Sequence, residues 1–188
     1  MSNEANILLW PVLLWCLSCT PAAGKEYWNY KTAYDAYDAG EYLLAADMYK
    51  RLAAAGDARA QNDLGFMYTV GEGVQQDFKT AAMWFGKAAA QGHAKALVHL
   101  AGMYEDGRGV EQDAIEAHKY FTLAGLLTTE PDRKKIATAR RDEIAARLTP
   151  TQLSSARARA CLWWRTHRVE LEKLGRLTQG LLQYCAAG

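Results

Sequence analysis

Small and hydrophobic residues recur along the chain at a fixed interval of 36 positions. Ala45, Ala81 and Ala117 follow this interval, and Leu64 is followed by Leu100. Further sets that keep the interval are Tyr49 with Phe85 and Phe121, Gly56 with Gly92, Ala60 with Ala96, Met67 with Met103, Tyr68 with Tyr104, and Asp77 with Asp113. A period of this length is typical of a solenoid, in which each unit buries its apolar face against its neighbours. The pattern therefore predicts an all-α, stacked architecture.

Each unit has the spacing of two helices. Residues 58–68 and 94–104 place their apolar side chains at i, i+4, i+7 and i+8, which is one helical face, and we name these helices A. Residues 81–90 and 117–124 predict the following helices B. The loops between A and B carry paired glycines that can adopt positive φ, namely Gly71 with Gly73 and Gly107 with Gly109. Asp77 and Asp113 stand where the N-cap of each helix B is needed.

Helices are also predicted outside the two full units. Residues 33–40 indicate an incoming helix A, with Tyr37 in the position of Tyr68. Thr128 stands where the period requires a glycine, so the array, placed at residues 26–128, ends there. Three further helices, at about residues 132–148, 149–164 and 169–184, are expected to cap the open end as a unit of residues 129–188. Thr149, Pro150 and Gln152 form a capping-box sequence that starts the second of them.

The N-terminal segment has a short apolar run. Residues 7–19 are almost entirely hydrophobic, and Pro21, Ala22, Ala23 and Gly24 follow. A run of about 13 residues is short for a membrane span, and small residues after it suit cleavage of a signal peptide. We therefore interpret residues 1–23 as a signal peptide or hydrophobic anchor, although Glu4 stands where a basic residue is usual. Cleavage, lipidation and retention all stay open, and the expected location is periplasmic or secreted.

The formal charge of +1 conceals an uneven distribution. Residues 1–130 carry 10 basic and 16 acidic side chains, whereas residues 131–188 carry 12 basic and 5 acidic ones. This balance argues against a dedicated nucleic-acid-binding protein, which needs a strongly basic surface. The basic tail has three interpretations: a solvated helix face, docking onto the acidic repeats, or contact with anionic envelope components.

Two of the four cysteines lie beyond the N-terminal segment. Cys161 and Cys185 would pair in an oxidising compartment and would then tie the last two helices together. Cysteine is also a common small core residue, so the two residues alone leave both interpretations open.

The repeat pattern, written out over residues 58–92, resembles the Sel1-like repeat family. The motif is Ala-x-Ala-x3-Leu-Gly-x-Met-Tyr-x2-Gly-x-Gly-Val-x2-Asp-x3-Ala-x2-Trp-Phe-x-Lys-Ala-Ala-x2-Gly. The resemblance covers about residues 30–125 and implies a short right-handed α-solenoid related to tetratricopeptide repeats. It also implies protein binding on the concave helix-A face, no catalytic residues and no cofactor.

The residues at periodic positions are expected to form the core, so the residues at the variable positions of helix A are the candidates for partner binding. They are Arg59, Asn62, Asp63 and Phe66 in the first copy and Lys95, Val98 and His99 in the second. The expected ligand is a protein or peptide, bound by an aromatic or aliphatic anchor and a few charge-assisted hydrogen bonds.

Catalytic and metal-binding sequence patterns are missing. The glycine pairs have no preceding strand and no Gly-Lys-Ser/Thr, so they are not phosphate-binding loops. The four histidines show no metal-ligand spacing. The sequence therefore predicts an exported, non-enzymatic adaptor or regulator without a multi-pass membrane domain. One alternative is an envelope-anchored spacer that uses the basic tail. The resemblance implies another, a cell-wall enzyme or ligand binder, because some cysteine-rich relatives bind β-lactams, although this chain lacks their dense cysteine framework and any Ser-x2-Lys.

Overall fold

The computed structural model describes residues 28–175 and 179–186, and these residues form helices and loops without a strand. The predicted segment 1–23 lies outside the described residues. The helices, in chain order, are α1 (Tyr30–Asp38), α2 (Tyr42–Ala54), α3 (Ala58–Val70), α4 (Phe78–Ala90), α5 (Ala94–Asp106), α6 (Ala114–Leu127), α7 (Pro131–Ala145), α8 (Pro150–Lys173) and α9 (Gln179–Ala186). The predicted helices A correspond to α1, α3 and α5, and the predicted helices B to α4 and α6.

The periodic positions form the core. Ala45, Ala81 and Ala117 are fully buried, and small side chains there let successive helices approach closely. The aromatic residues of the same register fill the wider gaps, because Tyr49, Phe85 and Phe121 are at most 3% exposed. Each helix from α1 to α6 packs against the next one along the chain. The all-α solenoid predicted from the 36-residue interval is confirmed.

The loops between helices A and B are built on glycine. Gly71 and Gly107 end α3 and α5 in the left-handed conformation, with φ of 84° and 70°. The second glycine of each pair lies against the N-terminus of an earlier helix, Gly73 against α2 and Gly109 against α4. A Cβ atom on Gly73 would lie 2.0 Å from the carbonyl oxygen of Tyr42, and one on Gly109 would lie 2.1 Å from that of Phe78. Successive units are thus joined backbone to backbone, which no larger residue permits.

The helix N-termini follow the predicted capping. The Asp77 carboxylate accepts hydrogen bonds from the backbone of Lys79 and Thr80 at 2.9 and 3.2 Å. Asp113 caps α6 in the same way. At α8, Thr149 and Gln152 form the predicted reciprocal capping box.

The C-terminal helices differ from the prediction in their boundaries. The helix expected to end near residue 164 continues to Lys173, and α9 begins only at Gln179 rather than near residue 169. Residues 165–168 contain neither glycine nor proline, so nothing ends the helix there. Gly175, with φ of 64°, follows the end of α8.

The C-terminal helices cover the last helix of the array. Helices α7, α8 and α9 all pack against α6. Ile144, Leu171 and Leu181, one from each helix, are fully buried in the same apolar cluster as Phe121. A disulfide joins Cys161 of α8 to Cys185 of α9, with the two Cα atoms 5.6 Å apart.

Part of the basic tail is docked on the acidic repeats. Arg140 and Arg147 both contact the carboxylate of Glu105, at 2.7 and 3.0 Å. Arg159 bridges Asp113 and Glu116 at 3.1 and 3.0 Å. Of the three interpretations of the tail, docking accounts for these arginines.

Candidate functional site

Four of the seven predicted binding residues line one pocket of about 360 Å³ between α1, α3 and α5. They are Asp63, Phe66, Lys95 and His99, and the remaining wall is formed by Tyr30, Tyr34, Tyr37 and Tyr49. We name this cavity the tyrosine pocket. Its volume lies within the usual range of ligand-binding clefts, about 300–1,000 Å³.

The repeat explains why these elements meet. Asp63 and His99 occupy equivalent positions 36 residues apart, so stacking α3 beside α5 places them on the same surface. Tyr30, Tyr34 and Tyr37 of α1 have the spacing i, i+4 and i+7, so they share the helix face that turns toward α3.

Asp63 is held in place by two hydrogen bonds. The hydroxyl of Tyr30 donates to Oδ2 at 2.5 Å, and the side-chain amide of Asn62 donates to Oδ1 at 2.8 Å. Asn62 itself is 1% exposed. A residue this deeply buried does not touch a partner, so the structure gives predicted contact residue Asn62 a positioning role instead.

Three tyrosine hydroxyls of the pocket, those of Tyr30, Tyr37 and Tyr49, stay protonated. Burial and the hydrogen bond to Asp63 raise the pKa of Tyr30 above its ordinary value. The same causes, with Glu72 as the acceptor at 2.5 Å, raise the pKa of Tyr37. Burial likewise raises the pKa of Tyr49. These hydroxyls are therefore hydrogen-bond donors throughout the physiological pH range.

His99 forms an aromatic wall shared by two cavities. Its ring stacks on Phe85 with 4.8 Å between centroids and lies 6.3 Å from the ring of Phe66. Nε2 is buried and has no hydrogen-bond partner in the described part of the chain. Burial, with a smaller contribution from Lys95, lowers the pKa of His99 to about 4. The imidazole is thus neutral at physiological pH.

The three remaining predicted residues lie around the pocket. Val98 lines a second, smaller cavity of about 170 Å³ that also includes Phe66 and His99, so the two cavities share a wall. Arg59 lies over the ring of Tyr30 at 4.2 Å and pairs with Asp57 at 3.0 Å. Lys95 is exposed and, within residues 28–175 and 179–186, makes no ion pair. These placements leave the partner-binding role of the set a prediction.

The sequence reasoning missed the four tyrosines. Three of them lie on α1, where the 36-residue interval is interrupted because the first loop is shorter. The helical spacing of Tyr30, Tyr34 and Tyr37 was available as a sign of a shared face, but only the fold shows that this face borders Asp63.

The neutral state of His99 makes stability dependent on pH. Its pKa in the folded chain is about 4 and its ordinary value is 6.5, so between these values the unfolded chain binds a proton that the folded chain does not. Unfolding is therefore favoured as the pH falls from 6.5 toward 4. Among the groups that act on the ring, Lys95 and Arg133 also oppose protonation, whereas Asp63 favours it.

We expect His99→Phe to reduce this acid sensitivity. Between pH 7 and pH 5 the native chain should lose on the order of 1 to 2 kcal/mol through His99, and the variant should lose less by that amount. Urea unfolding at both pH values measures the difference. The variant keeps an aromatic ring against Phe85, and His118 contributes equally to both proteins. Equal pH dependence of the two would contradict the lowered pKa.

Comparison with known proteins identifies the repeats. The profile of the Sel1 repeat family matches residues 58–93 and 94–128. The chain contains two Sel1 repeats. The first spans α3 and α4 and the second α5 and α6, so the tyrosine pocket lies between the first helices of both repeats and the preceding helix α1.

One solved structure with an SLR fold resembles the fold of this chain. A protective antigen present in uropathogenic Escherichia coli strains, displaying an SLR fold, is 28% identical and has a TM-score of 0.68. The alignment covers 79% of this chain but only 32% of the antigen, so the chain spans about a third of its length. A Sel1 repeat protein from Oxalobacter formigenes is 25% identical over 71% of this chain and 58% of its own length, with a TM-score of 0.49. No curated protein matches the sequence.

Sel1 repeat proteins generally mediate protein–protein interactions, and the fold is typically a non-enzymatic scaffold. The described ranges bring no three His, Cys, Asp or Glu side chains together in a way that could hold a metal ion. Within the same ranges no helix has both the length and the apolar character needed to cross a membrane.

Proposed function

We propose that the protein is a non-enzymatic adaptor that binds a peptide or protein segment across α1, α3 and α5. The observation that carries this proposal is the tyrosine pocket, which joins the first helices of both Sel1 repeats and contains six aromatic rings. Two of these rings remain accessible, because Phe66 is 36% and Tyr34 50% exposed. Exposed aromatic side chains beside a cleft are the usual anchors of protein interfaces.

Export to the periplasm or beyond the cell is part of the proposal. The apolar run at residues 7–19 and the small residues after it support a signal peptide. The disulfide between Cys161 and Cys185 is compatible with an oxidising compartment. N-terminal sequencing of the mature protein and thiol labelling without reductant test both points.

Crosslinking from the pocket tests the binding function. A photoreactive phenylalanine analogue at Tyr34, expressed in the native host, should crosslink a defined protein, whereas the same analogue at Met83 should not. Met83 is a suitable control because it is 48% exposed but lies on α4, outside the pocket.

We expect Phe66→Ala to weaken binding of the purified crosslinked protein about tenfold or more, the usual effect of removing an aromatic anchor. Met83→Ala should leave the affinity unchanged. Calorimetry or fluorescence anisotropy measures both, and thermal denaturation verifies that both variants fold. Equal affinities of the Phe66 variant and the native chain would place the binding surface elsewhere.

A further inference from the structure

Partly buried carboxylates in this protein are normally neutralised by a cation. Among the described residues six such groups occur, and four of them pair with arginine or lysine: Asp57, Glu105, Asp113 and Glu116. Pairing is expected, because a carboxylate removed from water is costly unless an opposite charge lies beside it.

The two exceptions border α1. Asp63 and Glu72 are both partly buried and each accepts a hydrogen bond from a tyrosine hydroxyl, that of Tyr30 and Tyr37 respectively. Neither forms an ion pair with any described residue. Arg59, the nearest cation in sequence, is turned toward Asp57 at 3.0 Å instead. The tyrosine pocket thus contains a carboxylate to which the described part of the chain supplies no ion-pair partner.

The geometry of Asp63 leaves room for a ligand. An ionised carboxylate has about four acceptor positions. The Tyr30 hydroxyl occupies one on Oδ2 and the Asn62 amide occupies one on Oδ1, so each oxygen retains a position. A guanidinium or ammonium group forms charge-assisted hydrogen bonds with such oxygens, and a guanidinium can bond both at once.

The aromatic walls suit the same kind of ligand. A cation over a tyrosine ring is attracted by the negative face of the ring, and aromatic cages bind ammonium groups in this way. The protein already uses this contact nearby, because Arg59 lies 4.2 Å from the Tyr30 centroid and Arg51 lies 4.4 Å from that of Trp28.

We infer that the tyrosine pocket receives a cationic side chain, arginine or lysine, of the bound peptide, with Asp63 as its counter-ion. This inference rests on the proposed function and specifies the chemistry of the partner.

Lys95 provides the opposite test, because among the described residues it is the one lysine or arginine that lines the pocket. Its exposed ammonium group makes no ion pair with the described residues, and it repels an incoming cation. Removal of this charge should therefore strengthen binding of a basic peptide. If the pocket instead received an acidic side chain, Lys95 would be its counter-ion and removal would weaken binding.

The experiment uses four acetylated and amidated pentapeptides, Gly-Ser-X-Ser-Gly, in which X is arginine, lysine, norleucine or glutamate. The purified full-length protein is titrated with each and followed by backbone amide chemical shifts of α1, α3 and α5. We expect the arginine and lysine peptides to bind at least fivefold more tightly than norleucine, which has similar length but no charge. Equal binding of norleucine, or preference for glutamate, would overturn the inference.

Matched variants locate the effect. Asp63→Asn should weaken binding of the arginine peptide about tenfold, and Lys95→Ala should strengthen it about two- to fivefold. Asp47→Asn changes the net charge equally but lies on α2 outside the pocket, so it should leave the affinity unchanged. If Asp47→Asn weakened binding as much as Asp63→Asn, the effect would be one of overall charge and the inference would be wrong.

The two proposals can fail separately. If Phe66→Ala releases the crosslinked protein and Asp63→Asn does not, the surface binds protein but the pocket does not hold a cationic side chain. If neither variant changes the affinity, the proposed binding surface itself is wrong.

Discussion

Substitution of Gly109 by alanine should destabilise the protein by about 2 to 5 kcal/mol. The added Cβ would lie 2.1 Å from the Phe78 carbonyl oxygen, which is backbone and cannot rotate away. Gly109 also has φ of 73°, which costs an alanine about 1 to 2 kcal/mol, and overpacking adds about 1 to 3 kcal/mol. Urea unfolding monitored by circular dichroism measures the loss.

Alanine substitutions at two other glycines separate the cost of backbone strain from the cost of the steric contact. Gly40 has φ of 80° but nothing within 4 Å of an added Cβ, so Gly40→Ala should cost only the backbone strain of about 1 to 2 kcal/mol. Gly86 lies inside α4 with free space around it, so Gly86→Ala should raise stability by about 0.5 to 1 kcal/mol. If Gly109→Ala and Gly40→Ala cost the same, the contact with Phe78 contributes nothing.

Replacement of Glu116 by glutamine should destabilise the protein by about 3 kcal/mol, because it leaves Lys119 charged and buried. The ammonium group of Lys119 bonds the Glu116 carboxylate, and the two side chains are only 9% and 17% exposed. Burial lowers the pKa of Lys119, and Glu116 is the group that most opposes this shift. The variant also removes the 3.0 Å ion pair with Arg159.

Lys119→Met is the matched control and should change stability by less than about 1 kcal/mol, because an apolar side chain replaces a buried charge. Glu116 then still pairs with Arg159. Chemical denaturation of both variants at neutral pH compares them. A Lys119→Met variant as unstable as Glu116→Gln would show that the ion pair itself, rather than the stranded charge, determines the stability.

The core of this protein was predictable because the 36-residue interval marks positions where neighbouring helix backbones approach closely and only a small side chain fits. Ala81 and Ala117 have no exposed surface, so only a small side chain fits at either position, and the sequence repeats it. The N-caps at Asp77 and Thr149 were equally predictable from the sequence, since the start of a helix depends on residues within one turn. Local chemistry and the interval together predict the array.

The C-terminal boundaries were not predictable from local patterns. The sequence predicted one helix ending near residue 164 and another starting near residue 169, yet α8 continues to Lys173 because residues 165–168 contain neither glycine nor proline and the left-handed Gly175 follows only later. The cluster around Glu116 was also invisible, since Arg159 lies 43 residues away in sequence. Only the packing of α8 against α6 brings the two together.

The tyrosine pocket was half predictable. Asp63 and His99 were found because variable positions inside a periodic helix are free of packing constraints. The tyrosines of α1 were missed because their contact with α3 depends on a unit whose loop departs from the interval. Asn62 was placed among the contact residues because it varies between copies, but it is buried and bonds Asp63.

The backbone contacts of Gly73 and Gly109 limit which insertions the repeat array can accommodate. Gly73 meets Tyr42 and Gly109 meets Phe78 at the same separation along the sequence, and main-chain atoms make both contacts. Duplication of one whole repeat would regenerate the contact and extend the surface formed by α1, α3 and α5 by one more helix. An insertion between Tyr42 and Gly73, or between Phe78 and Gly109, would change the separation at which the contact forms, so the addition of whole repeats is the kind of lengthening that preserves it.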